Sequence, residues 1–330
     1  MAWYVKGVEV IDDNSDITQN KTSIYVNEYL KFSEPEPTQS QGTVSGYTTG
    51  GYITAPTTIN VIEKFPFSSD ANATDVGDLT QARTYAAGQS SSTEGYTSGG
   101  LAPPHQSRID KFSFVSDGNA SLVGGLSDSR SAGVGQTSTL AGYTSGGFDT
   151  GAPTGKNVVD KFLFASDGDG AADVGDLTQA RYGAAGQSST ISGYTAGGNN
   201  PPSYVNTIDK FPFSTDTNAS DVGDLTQIRA FGAGSNSDES GYTSGGFAPP
   251  YVNTIDKFPF STDTNATDVG DLTDARGYSS SQSSNVSGYI SGGTTTTVNT
   301  IDKFPFSTDT NATDVGDLTA SKYGAAGQQV

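Results

Sequence analysis

The chain has 330 residues, no cysteine, a formal net charge of −19, 33% hydrophobic residues and 42 glycines. The missing thiols exclude disulfides, thiolate metal sites and cysteine nucleophiles. The acidic balance argues against a nucleic-acid partner, because phosphate contacts need a basic face, and no run of about 20 apolar residues offers a membrane-spanning helix.

Residues 1–40 share no pattern with the rest of the chain. Met1 to Gly7 lacks the basic and apolar regions of a secretory signal, so export by that route is not expected. Val8–Ile11 and Ser23–Val26 read as short strands, and Glu34-Pro35-Glu36-Pro37 as a stiff polar linker. This segment is expected to be an attachment or oligomerisation arm, with residues 41–330 forming the main domain.

From Gly46 onward a unit of nearly fifty residues recurs six times. Its landmark is Gly-Tyr followed by Gly-Gly, with tyrosines at Tyr47, Tyr96, Tyr143, Tyr194, Tyr242 and Tyr289. Next come a variable stretch, an I-D-K-F-P-F segment, a Ser/Asp/Asn/Thr tract, D-V-G-D-L-T-x-A-R, and a small-residue segment of the Y-G-A-A-G-Q type. Each unit predicts four short strands: a (A-A-G-Q), b (G-Y-T-S-G-G), c (I-D-K-F-P-F) and d (D-V-G-D-L). Turn residues separate them, and no segment has the 3.6-residue apolar period of a long helix. Phe211 and Phe213 face the same way, and Pro212 between them predicts a locally unpaired strand end. Ala184, Ala185 and Gly186 suit an innermost strand crowded around an axis.

The ends complete one another. Tyr323–Gln328 is an a segment with no unit after it, while the unit at Gly46-Tyr47 has no a segment before it. A closed ring is therefore expected, with the C-terminal strand joining the first blade and leaving no long open edge.

These segments resemble kelch repeats over about residues 41 to 330: G-Y-T-S-G-G for the kelch glycine pair, I-D-K-F for its tyrosine-containing strand and L-T-Q-A-R for its end. The resemblance implies an all-β, six-bladed propeller of four-stranded antiparallel blades with a short N-terminal β arm. One departure is that the tryptophan usual in the fourth kelch strand is replaced by Val76, Val174, Val222, Val269 and Val315. The stretch from Gly7 to Asn20, G-V-E-V-I-D-D-N-S-D-I-T-Q-N, resembles N-terminal or stalk segments of phage tail-fibre and other virion proteins. The near-identical, cysteine-free, Gly/Thr/Tyr-rich repeats are similar to structural proteins of marine and cyanobacterial phages.

Alternating strands place the b–c and d–a loops on one face and the a–b and c–d loops on the other. The variable b–c loops carry the candidate ligand residues Tyr52, Phe148, Tyr204, Phe247 and Tyr251, aromatics suited to sugar rings. The d–a turns carry Arg83, Arg130, Arg181, Arg229, Arg276 and Lys322. These form either a cationic ring that would attract acidic sugars or structural pairs with an Asp of the neighbouring blade. His105, the single histidine, is expected as an exposed loop residue; a Ser-His-Asp triad is the alternative. The acidic c–d tracts do not match an EF-hand, and Asx-turns explain their composition, so no metal or cofactor is expected. Their N-A-T and N-A-S sequons, at Asn72, Asn119, Asn218, Asn265 and Asn311, carry no expected function.

Three functions compete. The first is a virion protein, a tail-fibre or similar surface component. Its arm would contact other virion proteins and its propeller would bind host-surface polysaccharide. The second is a purely structural or decoration protein. The third is a glycan-active enzyme on a propeller. Ser166, Asp167 and Gly168 share letters with a sialidase box, but no Trp follows, and units four to six are almost identical where an enzyme would break symmetry. Recent duplication favours a scaffold or a binder. The expectation is therefore a non-enzymatic virion protein without membrane insertion, with homo-oligomerisation through the arm also open.

Overall fold

The computed structural model describes residues 41–54, 56–151 and 155–330, and the backbone of strands Trp3–Val5 and Val8–Ile11. The chain divides into two compact units, Met1–Thr38 and Gln39–Val330. In the first, Trp3–Val5 and Val8–Ile11 pair antiparallel. The expected strand at Ser23–Val26 and the Pro-containing linker at 34–37 lie outside the described residues.

The second unit is a six-bladed β-propeller, and its described residues contain no helix. Blade one is assembled from both ends of the unit: Ala326–Gln329 (a), Ser45–Thr49 (b), Val61–Pro66 (c) and Thr74–Asp78 (d). Its register runs Ala326↔Thr49 to Gln329↔Gly46, as the permuted ending requires. Blade four is typical of the rest, with Ala185–Ser188, Ser192–Asn200, Ser203–Pro212 and Ser220–Asp224 in antiparallel order. The inner strands of the other blades are Ala87–Ser90, Val134–Thr137, Ala233–Asn236 and Ser280–Ser283. Ala326–Gln329 lies between Ser280–Ser283 and Ala87–Ser90, closing the ring.

Glycine at the axis is steric necessity. A Cβ on Gly135 would lie 2.0 Å from the carbonyl oxygen of Gly88, and one on Gly186 2.4 Å from that of Gly135. The glycine of each Gly-Tyr pair has a different reason: the strand-c phenylalanine lies over it, so a Cβ at Gly193 would fall 2.4 Å from Cζ of Phe211. Phe211 then packs backward, onto Tyr143, Val159 and Leu177 of blade three. Phe213 stacks on the same tyrosine at 4.8 Å. The hydrophobic clusters are thus shared between neighbouring blades, and each large side chain buried there contributes roughly 1.5–3 kcal/mol.

Every c–d ladder carries a bulge. In blade four Ile208 faces Gly223 and Asp209 faces Asp221, so Val222 is the extra residue, half-buried against the core. Pro212 lies two residues past the last c–d pair, Lys210↔Ser220, where no ladder donor is needed on that side.

Polar clamps supply the cohesion that so polar a chain cannot draw from one large core. In five inter-blade junctions a buried arginine of the d–a turn meets a buried aspartate in strand c of the next blade: Arg83–Asp110, Arg130–Asp160, Arg181–Asp209, Arg229–Asp256 and Arg276–Asp302, at 2.8–3.1 Å. The sixth junction exchanges both partners, Lys322 with Glu63, a shorter cation matched by a longer acid. Burial opposes the charge on Glu63, but Lys322 and hydrogen bonds from Thr319 and Thr48 hold its carboxyl below the usual carboxylate range. The strand-c lysines reach the c–d tract of the following blade, as in Lys210–Asp263 at 3.0 Å. The sequon asparagines cap backbone N–H groups of the preceding blade, as when Asp224 N donates to Asn265. The acidic tracts are therefore used as rim clamps; Asp167, of the sialidase-like letters, accepts from Lys111.

Candidate ligand site at the channel mouth

The d–a turns run beside the b–c loops at the mouth of the axial channel. Isolated bridges join them in every sector: Tyr323 with Tyr52, Thr84 with Leu101, Ser131 with Phe148, Tyr182 with Asn199, Ala230 with Phe247 and Gly277 with Thr294. The next residue of each d–a turn has positive φ: Tyr85 (54°), Ala132 (52°), Gly183 (62°), Phe231 (59°), Tyr278 (59°) and Gly324 (66°). Their backbones form a closed circle in which Tyr85 N donates to Gly324 O, Gly324 N to Tyr278 O, Tyr278 N to Phe231 O, Phe231 N to Gly183 O, Gly183 N to Ala132 O and Ala132 N to Tyr85 O. The circle fixes six residues around one axis.

Those six are unlike one another. Three are aromatic and three are small, so the mouth breaks the symmetry that the rest of the ring keeps. Aromatic rings follow one another from Tyr85 to Tyr278 (5.7 Å between centroids), Phe231 (4.0 Å, stacked), Tyr182 (6.1 Å), Phe148 (5.2 Å) and His105 (5.5 Å). This horseshoe surrounds a cavity of about 390 Å³ floored in part by Ala132. A narrower pit of about 140 Å³, lined by the inner strands, continues down the axis. The cavity is lined by aromatic, aliphatic, serine and histidine side chains and by no Asp, Glu, Lys or Arg among the described residues. Burial, reinforced by the neighbouring tyrosines, pushes the Tyr85 and Tyr278 hydroxyls well above the usual tyrosine range, so both stay neutral donors. Asn199 Nδ2 donates to Tyr182 Oη at 2.8 Å and orients that hydroxyl.

The five loop aromatics expected to bind ligand fall into three places, and all are half-buried. Phe148 lines the cavity. Tyr204, Phe247 and Tyr251 form their own edge-to-face group, at 5.7 and 4.9 Å, on the long b–c hairpins of blades four and five. Tyr52 packs on Tyr85 and Tyr323, outside the cavity wall. Tyr85, Tyr182, Phe231 and Tyr278 were not among the candidates; for three of them the clue was the position two after each arginine or Lys322, which is aromatic in three units and alanine or glycine in the others, while Tyr182 follows Arg181 directly.

Two expectations need correction. Arg83, Arg130, Arg181, Arg229, Arg276 and Lys322 form no free cationic ring, because each is at most 1% exposed and ion-paired across a blade junction. Pairing with an Asp of the neighbouring blade holds for the five arginines, and Lys322 pairs with Glu63 instead. His105 is not an exposed loop residue: it is half-buried, its Nδ1 lies 3.0 Å from Ser131 Oγ, and its ring meets the edge of Phe148.

Compared with known proteins, the chain matches no family model and no curated protein.

Proposed function

We propose that this kelch-like propeller is a virion surface protein, a tail-fibre component or similar appendage. Residues 1–40 would attach it to other virion proteins, and the b–c face would bind host-surface polysaccharide. The observation that carries this reading is the aromatic cavity at the channel mouth, in one sector of a largely repetitive ring. Loop and turn residues on a rigid scaffold are where binding sites concentrate, and a concave, mainly apolar pocket with a few polar groups is the usual form of a small-ligand site. The lining lacks the pair of carboxylates that most glycoside hydrolases use, which favours binding over turnover. The described chain enters the propeller on the opposite face, where Gln41 donates to Asn236 O and Gly42 N to Ser283 O.

A second reading, a structural or decoration protein, draws on the a–b turns of that lower face. Val44, Leu140, Ile191 and Val286 stand 56–74% exposed there, an apolar set suited to contact with a virion partner.

The test is binding of the fluorescently labelled full chain to a panel of bacterial strains, before and after periodate oxidation of their surface sugars. Saturable, strain-dependent binding that periodate removes supports attachment to polysaccharide. No binding, or binding that survives oxidation, contradicts it.

A further inference from the structure

We propose that the horseshoe cavity at the channel mouth binds one neutral pyranose unit, so that each propeller carries a single sugar site on its axis rather than six equivalent sites. This deepens the attachment reading and rests on it.

The first argument is backbone strain. A bulky non-glycine residue with φ near +55° is an outlier, and such strain clusters at functional sites. Tyr85, Phe231 and Tyr278 all adopt it, although Gly183 and Gly324 show that glycine fits the same circle. Three aromatic rings are thus held over the channel against the local preference of the chain.

The second argument is asymmetry. Ala132 is the one small residue of the circle that lines the cavity, which opens over it between Tyr85 on one side and Phe231 on the other. An aromatic residue at position 132 would fill it. The other two small places, Gly183 and Gly324, are covered by the rings of Phe231 and Tyr85, so the gap over Ala132 is a specific feature of this sector.

The third argument is chemistry. Aromatic faces suit the apolar face of a sugar ring, and the hydroxyls of Tyr85, Tyr182 and Tyr278 with the His105 imidazole offer hydrogen bonds to its hydroxyl groups. An acidic sugar would find no cation in the lining, because the nearby arginines are committed to buried aspartates. A quaternary ammonium would be attracted by the rings but would leave those donors without an acceptor. The cavity volume falls in the range of small-molecule sites.

The experiment titrates the full-length protein with methyl glycosides of glucose, galactose, mannose and N-acetylglucosamine, with glucuronate, and with choline. Saturation-transfer NMR detects binding, and calorimetry gives stoichiometry. Binding of at least one neutral glycoside at one per chain is expected, with glucuronate and choline weaker. Ala132→Tyr should abolish it while the protein stays folded by circular dichroism, because Tyr85 already shows that the circle accepts tyrosine. Tyr204→Ala, outside the cavity, should retain it. No glycoside binding by the folded protein, tighter binding of choline or glucuronate, several sites per chain, or full binding by the Ala132→Tyr variant would each overturn the proposal. If bacterial cells are bound equally by wild type and the Ala132→Tyr protein, attachment stands and the axial site falls. If glycosides bind but no cell surface does, the site stands and attachment falls.

Discussion

Replacing Asp209 by alanine should be among the most damaging single changes in blade four. Its carboxylate is fully buried, 3.0 Å from Arg181 Nη2, and also accepts from Thr178 N at 2.8 Å and Thr178 Oγ1 at 2.7 Å. Arg181 in turn donates to Thr195 O at 2.9 Å, so the pair pins the exit of blade three to strands b and c of blade four. Burial alone pushes the Arg181 guanidinium below its ordinary value, and Asp209 is the main group opposing that shift. Removing the acid strands a fully buried cation, which costs about 3–5 kcal/mol. The rim pair Lys210–Asp263 is exposed by comparison, at 27% and 57% of its side chains, and Lys210→Ala should cost only about 0.2–1 kcal/mol. A joint replacement, Asp209→Leu with Arg181→Met, should recover most of the loss, since buried ion pairs are often no better than apolar packing. Urea denaturation followed by near-ultraviolet circular dichroism, run as a double-mutant cycle, measures all of these. If Asp209→Ala costs no more than Lys210→Ala, the buried clamp is not what joins the blades.

Other outcomes follow from the same contacts. Lys322→Arg or Glu63→Asp alone should destabilise the closing junction by about 1–3 kcal/mol through misfit, and the double variant should recover, because it recreates the pair used at the other five junctions; denaturation midpoints decide this. Gly193→Ala should cost about 1–3 kcal/mol or more by driving a methyl group into Phe211, read as a lowered thermal midpoint. The Asp216 hydrogen bond holds the Lys161 ammonium above the ordinary lysine range. That stabilisation is complete below the usual lysine pKa and is lost as pH rises through the raised one, so melting midpoints should fall in strong alkali. Lys161→Met should flatten this dependence slightly. Glu63 gives the opposite sign: its depressed pKa contributes stability above the ordinary glutamate range that disappears as pH falls through the folded value. Glu63→Gln should flatten the acid limb of the stability profile, although it lowers stability at neutral pH.

Periodicity made the architecture legible. The recurrence of Tyr47 to Tyr289 and the unpartnered segment Tyr323–Gln328 specify the number of blades and how they close, because both depend only on chain order. Burial of the arginines was not legible. Arg181 and Asp209 are 28 residues apart in sequence, and only the inter-blade geometry reveals that a cation in a polar turn faces an acid in the next blade's third strand. The same limit hid the cavity. Sequence variation drew attention to the loop tips, to Tyr204 and Tyr251, whereas the site wall comes largely from the d–a turns at Tyr85, Phe231 and Tyr278. Their left-handed backbone is hinted at by Gly183 and Gly324 in the same register, but which sectors adjoin the gap depends on the ring being closed. His105 was misjudged for a similar reason: its Pro-rich loop folds back over Ser131 instead of extending into solvent.

The most direct measurement is a crystal structure of the full chain soaked with the neutral oligosaccharide that titrates most tightly. One sugar ring lying against Tyr85, Phe148 and Tyr278 at the channel mouth, with the lower face empty, is the predicted result. Density confined to the Tyr204–Tyr251 group, repeated in several blades, or placed on the a–b face would contradict a single axial site.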